Sequence, residues 1–195
     1  MRTAQGRPLS TAMGFLAARV EKVFFDSFAA RYHTRLQGGA DEPLYQPSLS
    51  AARQHVLFYR GDHFASALHE VAHWCIAGEQ RRQLLDFGYW YTPDSRKADQ
   101  QLAFEAVECK PQALEWFFSQ ACGYRFQVSV DNPELARTGL LDTAAFQRAV
   151  LTQALAWQQQ GLPERAGIFY AALSREFGTA VPAAELIFTS VEFAR

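Results

Sequence analysis

The sequence predicts an α+β protein, mainly helical, with a small sheet, in a single domain over residues 1–195. Three observations carry that expectation. Long segments repeat apolar residues at three- and four-residue spacing, which is the signature of amphipathic helices. Short runs rich in β-branched and aromatic residues are few. No internal repeat or linker-like tract divides the 195 residues, and 49% hydrophobic and 14% aromatic content is enough to build a core without disulfide or metal staples.

Between Ser10 and Leu36, the series Phe15, Leu16, Val20, Val23, Phe24, Phe28 and Ala29 predicts a helix that Gly38 and Gly39 terminate. Asp41 to Pro47 reads as a loop and His55–Tyr59 as a strand. Asp62 is placed to cap a helix running to about Ala77, with Gly78 at its end. Phe87–Tyr91 reads as an aromatic strand or loop stopped by Pro93. A helix from about Ser95 then meets Pro111, where it is expected to kink or restart before an apolar helical stretch from Gln112 to Cys122. Arg125–Val130 reads as a strand, and helices are expected over Asp142–Gln160 and Pro163–Phe177.

Charge and cysteine usage narrow the function classes. Lysine plus arginine number 19 and aspartate plus glutamate 20, for a net charge of −1, so no general electrostatic grip on nucleic acid is expected. Cys75, Cys109 and Cys122 follow no disulfide spacing and read as small apolar residues of a reducing compartment. Arg19, Glu21 and Lys22 interrupt the N-terminal apolar stretch too early for a secretory signal, and no uncharged run spans a bilayer. No membrane partner is expected, and the cytoplasm is the expected location.

The chemistry sits in His69-Glu70-Val71-Ala72-His73. On a helix, residues four apart lie about 40° apart around the axis, so both imidazoles reach one divalent ion from a single rigid element. Glu70 lies about 100° from His69, able to meet a water on that ion without ligating it, the position of a catalytic acid or base. With this composition such a string is expected by chance about 0.008 times in the chain. Two histidines hold a metal poorly, so a third ligand is expected downstream. Glu105 and Glu108 are three apart on one helical face among apolar neighbours. Glu108 is expected as the ligand, with Glu105 as its supporting neighbour or its alternative. Such a set holds zinc for hydrolysis, with Glu70 as general base of a metallopeptidase, or iron(II) for oxygen activation. A structural metal in a binding module is the third reading.

The stretch from His69 to Arg96, HEVAHWCIAGEQRRQLLDFGYWYTPDSR, and FEAVECKPQALEW from Phe104 to Trp116 resemble the bacterial elongation factor P hydroxylase family. DEPLY (Asp41–Tyr45) and GLPERA (Gly161–Ala166) extend the similarity over most of the chain, and residues 1–12 look like an extension without counterpart. The resemblance implies a non-haem, metal-dependent monooxygenase on a zincin-like scaffold. Its substrate would be the lysine of elongation factor P that carries an attached β-lysyl group. It implies His69, His73 and a glutamate of the second block as ligands of a divalent metal, expected to be iron(II), with dioxygen as co-substrate. The strand-borne pattern of 2-oxoglutarate oxygenases is absent, so 2-oxoglutarate is not assigned.

Tyr89, Trp90 and Tyr91 are candidate contacts to a lysine-bearing loop through cation–π attraction. Arg81 and Arg82, with Arg96 and Lys97, flank them and are candidates for meeting an acidic protein partner. His33, His55 and His63 lack ligand spacing and are expected to be structural.

Overall fold

A computed structural model describes residues 14–86, 98–130 and 143–189. Helix α1 (Ala17–Tyr32) leads into strands β1 (Thr34–Ala40), β2 (Leu44–Gln46) and β3 (His55–Arg60), then α2 (Phe64–Ile76). Helices α3 (Ala98–Cys122), α4 (Ala144–Gln160) and α5 (Glu164–Phe177) complete the main elements. The sheet order is β1-β3-β2, with β1 parallel and β2 antiparallel to β3. The architecture is α+β and mainly helical, as the periodicity predicted.

Helix α1 stops four residues earlier than expected. His33 takes the left-handed conformation at φ 49°, and its N–H bonds the Ala29 carbonyl at 3.1 Å. Thr34–Leu36 then pair with His55–Leu57 instead of continuing the helix. Gly38 and Gly39 therefore lie inside β1, at its irregular end, and do not cap a helix. A Cβ on Gly38 would come within 2.6 Å of the Tyr59 ring, so glycine is what lets that ring pack against the strand. The stretch expected to be a loop carries the three-residue β2. Arg125–Val130 is not a strand: its backbone runs along α3, where Gln112 bonds Ser129 in both directions at 2.7 and 3.0 Å.

Helix α2 starts and ends within two residues of expectation, but His63, not Asp62, is its N-cap residue and Ala77 its C-cap. Pro111 neither stops nor restarts α3, which runs unbroken over 25 residues. Its second half is buried all round from Ala113 to Ser119, as befits a central helix contacted by α2, α4 and α5. On its other faces α2 meets α1, α5 and the sheet. The joint is aromatic: Phe28 lies 5.1 Å from Phe24, 4.9 Å from Trp74 and 6.0 Å from Phe169. All three cysteines are free, with Cys75 and Cys122 buried and Cys109 half-buried. The expected strand at Phe87–Tyr91 and the extension at 1–12 lie outside the described residues. Among those described, no helix is long and apolar enough to cross a membrane.

Candidate metal centre

The site forms where α2 faces the middle of α3. Burial of Leu68, Val71, Ala72 and Cys75 fixes the rotation of α2, and that rotation turns His69 and His73 toward α3. The C-terminus of α2 is anchored by a side chain from α5: Arg165 donates to the carbonyls of Trp74, Cys75 and Ala77. These are carbonyls that the helix end leaves without intrahelical donors, and a cation there also meets the negative end of the helix dipole. Arg165 belongs to the GLPERA block, whose role no local pattern disclosed.

His69 Nε2 and His73 Nε2 lie 3.0 Å apart. Glu108 places Oε2 at 3.4 Å from the first and Oε1 at 3.2 Å from the second. His69, His73 and Glu108 thus each offer a ligand atom within one 4.8 Å cluster. Three donors about 2.1 Å from one ion lie about 3.0 Å apart in octahedral geometry and about 3.4 Å apart in tetrahedral geometry. The separation of the two ring nitrogens matches that geometry, and each Glu108 oxygen lies 3.2–3.4 Å from one of them, so two imidazoles and a carboxylate are placed to hold a first-row divalent ion. Glu105, one turn before Glu108, is half-buried and accepts from Gln101 Nε2 at 3.1 Å; it is not in the cluster.

Glu115 is a residue of the site that the sequence reading missed. Its Oε2 lies 2.8 Å from His69 Nδ1, on the side of the ring away from the cluster. The signal was available: Glu115 follows Glu108 by seven residues, two helical turns, and shares its face.

The electrostatics follow from this crowding. Burial raises the pKa of Glu108, but a hydrogen bond from His73 and the charges of His69 and His73 prevail and bring it down to about 2. Burial pushes His69 down, while the hydrogen bond to Glu115 and the charges of Glu108, Glu115 and Glu70 prevail and raise it to about 10. In the metal-free chain these contacts favour the protonated ring. Because His69 titrates at 6.5 in the unfolded chain, its stabilising contribution is complete below that pH and is lost as pH rises toward 10. The chelated protein is therefore expected to melt at progressively lower temperature between pH 6.5 and 10. Metal uptake, which requires the deprotonated ring, is expected to strengthen over the same range. Thermal scans against pH, with chelator and with saturating metal, check both slopes; a flat chelated series would contradict the raised proton affinity of His69.

A shallow cleft opens beside the cluster. Glu70 and His73 line it together with the apolar Tyr45, Leu57 and Trp74 and with Arg81, Arg82 and Asp86. Backbone bonds in both directions between Tyr45 and Asp86, at 2.7 and 3.0 Å, draw the turn carrying both arginines against β2. Arg81 is paired with Asp86, and Arg82 lies over the rings of Tyr32 and Trp74 at 5.3 and 5.8 Å. Glu70 is buried, its carboxyl group makes no hydrogen bond to the described residues, and its pKa is raised chiefly by that burial. Tyr89, Trp90, Tyr91, Arg96 and Lys97 lie outside the described residues. His33, His55 and His63 are remote from the cluster, serving at the end of α1, as acceptor from the Ser48 N–H at 2.8 Å, and at the start of α2.

An H-E-x-x-H helix completed by a glutamate from a second helix, with one side facing a cleft, defines a candidate non-haem metal protein with two histidines and one carboxylate. The chain belongs to the elongation factor P hydroxylase family, whose model matches residues 23–187. It is 43% identical over 157 residues to the elongation factor P lysine hydroxylase of Haemophilus influenzae, covering 80% of this chain and 86% of that protein. Membership makes the chain an enzyme of the hydroxylase class, an oxidoreductase, and removes the support for a metallopeptidase that rested on the H-E-x-x-H string alone.

Proposed function

We propose that the chain hydroxylates the modified lysine of elongation factor P, with a divalent metal, iron(II), held by His69, His73 and Glu108 and with dioxygen as co-substrate. The observation that carries this reading is the three-donor cluster lying within the span that the family's model matches. When bound, iron(II) would supply the redox chemistry that couples dioxygen to an unactivated C–H bond, one oxygen atom entering the substrate and the other leaving as water with two electrons and two protons from an external reductant.

The chain's own residues have separate tasks. His69 and His73 present their Nε2 atoms from one turn of a packed helix, so the spacing of the pair needs no rearrangement. Glu108 contributes a negative charge that stays ionised near neutral pH. Glu70, which lines the cleft and has its proton affinity raised by burial, is suited to take or give a proton there. The apolar walls at Tyr45, Leu57 and Trp74 suit the methylene stem of a long amine-bearing side chain. Arg81 and Arg82, at the same cleft, are the proposed contacts to the protein surrounding that side chain, together with Tyr89, Trp90 and Tyr91. The partner is a protein, in keeping with a net charge of −1, and neither nucleic acid nor membrane enters this reading; the proposed location is the cytoplasm. Glu105, which lies outside the three-donor cluster and accepts from Gln101, is not given a ligand role in this reading.

The test is the intact mass of the modified peptide of elongation factor P from cells lacking this protein. Loss of one oxygen atom's mass, restored by the wild-type gene and not by His73→Ala, is the expected result; an unchanged mass would reject the proposal.

A further inference from the structure

We propose that Glu115 is the positioning residue of the metal centre: it selects the His69 tautomer that carries its proton on Nδ1 and aims the Nε2 lone pair at the ion. The inference rests on the reading of His69, His73 and Glu108 as ligands, and it adds a role that this reading does not require.

Glu115 lies in the most apolar part of α3, between Leu114 and Trp116, both fully buried, and is itself only 9% exposed. A carboxylate in such surroundings is costly unless it is paired. The partner that the described residues give it is His69 Nδ1, at 2.8 Å, contributed by α2 from 46 positions away. Glu115 cannot be a fourth ligand of the same ion, because the two ring nitrogens point in divergent directions and Nε2 faces His73 and Glu108. The site therefore keeps its open positions while one ring is held from behind. A neutral imidazole has one N–H, and an acceptor at Nδ1 places that hydrogen there and frees Nε2 for a metal. A carboxylate offers only acceptors to the ring. A glutamine in its place offers an amide oxygen or an amide N–H, so it no longer distinguishes the binding tautomer from the non-binding one. Partners of this kind typically change metal affinity by about 10–100-fold.

The experiment uses the full chain, stripped of metal and titrated with zinc(II) against a chromophoric chelator, as wild type, Glu115→Gln and Glu115→Asp. Ring-nitrogen NMR of the zinc-loaded protein is recorded alongside. Zinc affinity is expected to fall about 10–100-fold in Glu115→Gln and to recover in part in Glu115→Asp, which keeps the charge on a shorter stem. His69 of the zinc-loaded wild type is expected to show a proton on Nδ1. A structural role alone would lower the melting temperature and leave the affinity of the folded protein unchanged. Equal zinc affinity in wild type and Glu115→Gln overturns the proposal and leaves the ligand set standing. Failure of the wild type to bind zinc overturns the ligand set itself. Should Glu115→Gln not fold, the wild-type spectrum decides alone, and a His69 Nδ1 without a proton overturns the proposal.

Discussion

Glu108→Gln is expected to weaken divalent-metal binding by more than about 100-fold, beyond the range typical of partners outside the ligand set, and to abolish hydroxylation. Glutamine fills nearly the same volume, so the α2–α3 packing survives while the negative charge disappears. That charge sits 3.4 Å from His69 Nε2 and 3.2 Å from His73 Nε2, and it is the carboxylate of the three-donor cluster. Removing it leaves two imidazoles, too few donors for a stable site. The metal-free protein also changes, because the raised proton affinity of His69 rests partly on Glu108. Competition against a chromophoric chelator reads the loss of affinity, with Glu105→Gln as the comparison. Wild-type affinity in Glu108→Gln with loss in Glu105→Gln would transfer the ligand role one turn back along α3.

Phe28→Ala is expected to give the largest loss of stability of any single truncation at the α1–α2 joint, about 3–5 kcal/mol. Phe28 is fully buried and touches Phe24, Trp74 and Phe169 with ring centroids 4.9 to 6.0 Å apart. These rings come from α1, α2 and α5, so no single element can close the void. At about 2–4 °C per kcal/mol for a chain of this size, the melting temperature should drop by roughly 6–20 °C. Trp74 follows His73 directly, and loosening its seat loosens the helix that carries both imidazoles. Calorimetry with and without metal checks the prediction, and a shift below about 2 °C would contradict the account of the joint.

The elements that were legible in the sequence are those whose information is local. The H-E-x-x-H spacing, the apolar stripe of α2 and the helices after Thr143 depend on residues within a few turns, and the chain follows them. Glu108 and Glu105 were both candidates in the sequence, and the fold brings Glu108 into the cluster with His69 and His73. The failures share a long-range cause. Thr34–Leu36 read as the tail of a helix because nothing between Phe28 and Gly38 resembles a stop signal; the turn is made by His33 in a left-handed conformation, and the reward is pairing with His55–Leu57 about twenty residues on. Arg125–Val130 has strand-like composition, yet its backbone partners are the side-chain amides of Gln101 and Gln112 on α3. Pro111 removes one donor from α3, yet the helix continues across it into the stretch from Gln112 to Ser119 that is buried throughout. Glu115 visibly shares the face of Glu108, but what it does there depends on a distant partner. Inside Leu114–Trp116 it reads as part of a core helix, and its partner is on another element.

The direct test of the metal assignment is the metal content of protein purified without oxygen. The account predicts about one iron per chain in the wild type and none in His69→Ala, His73→Ala or Glu108→Ala variants that remain folded. Stoichiometric iron retained in all three variants, or a wild type that holds zinc and gains no hydroxylase activity on exchange to iron, would contradict it.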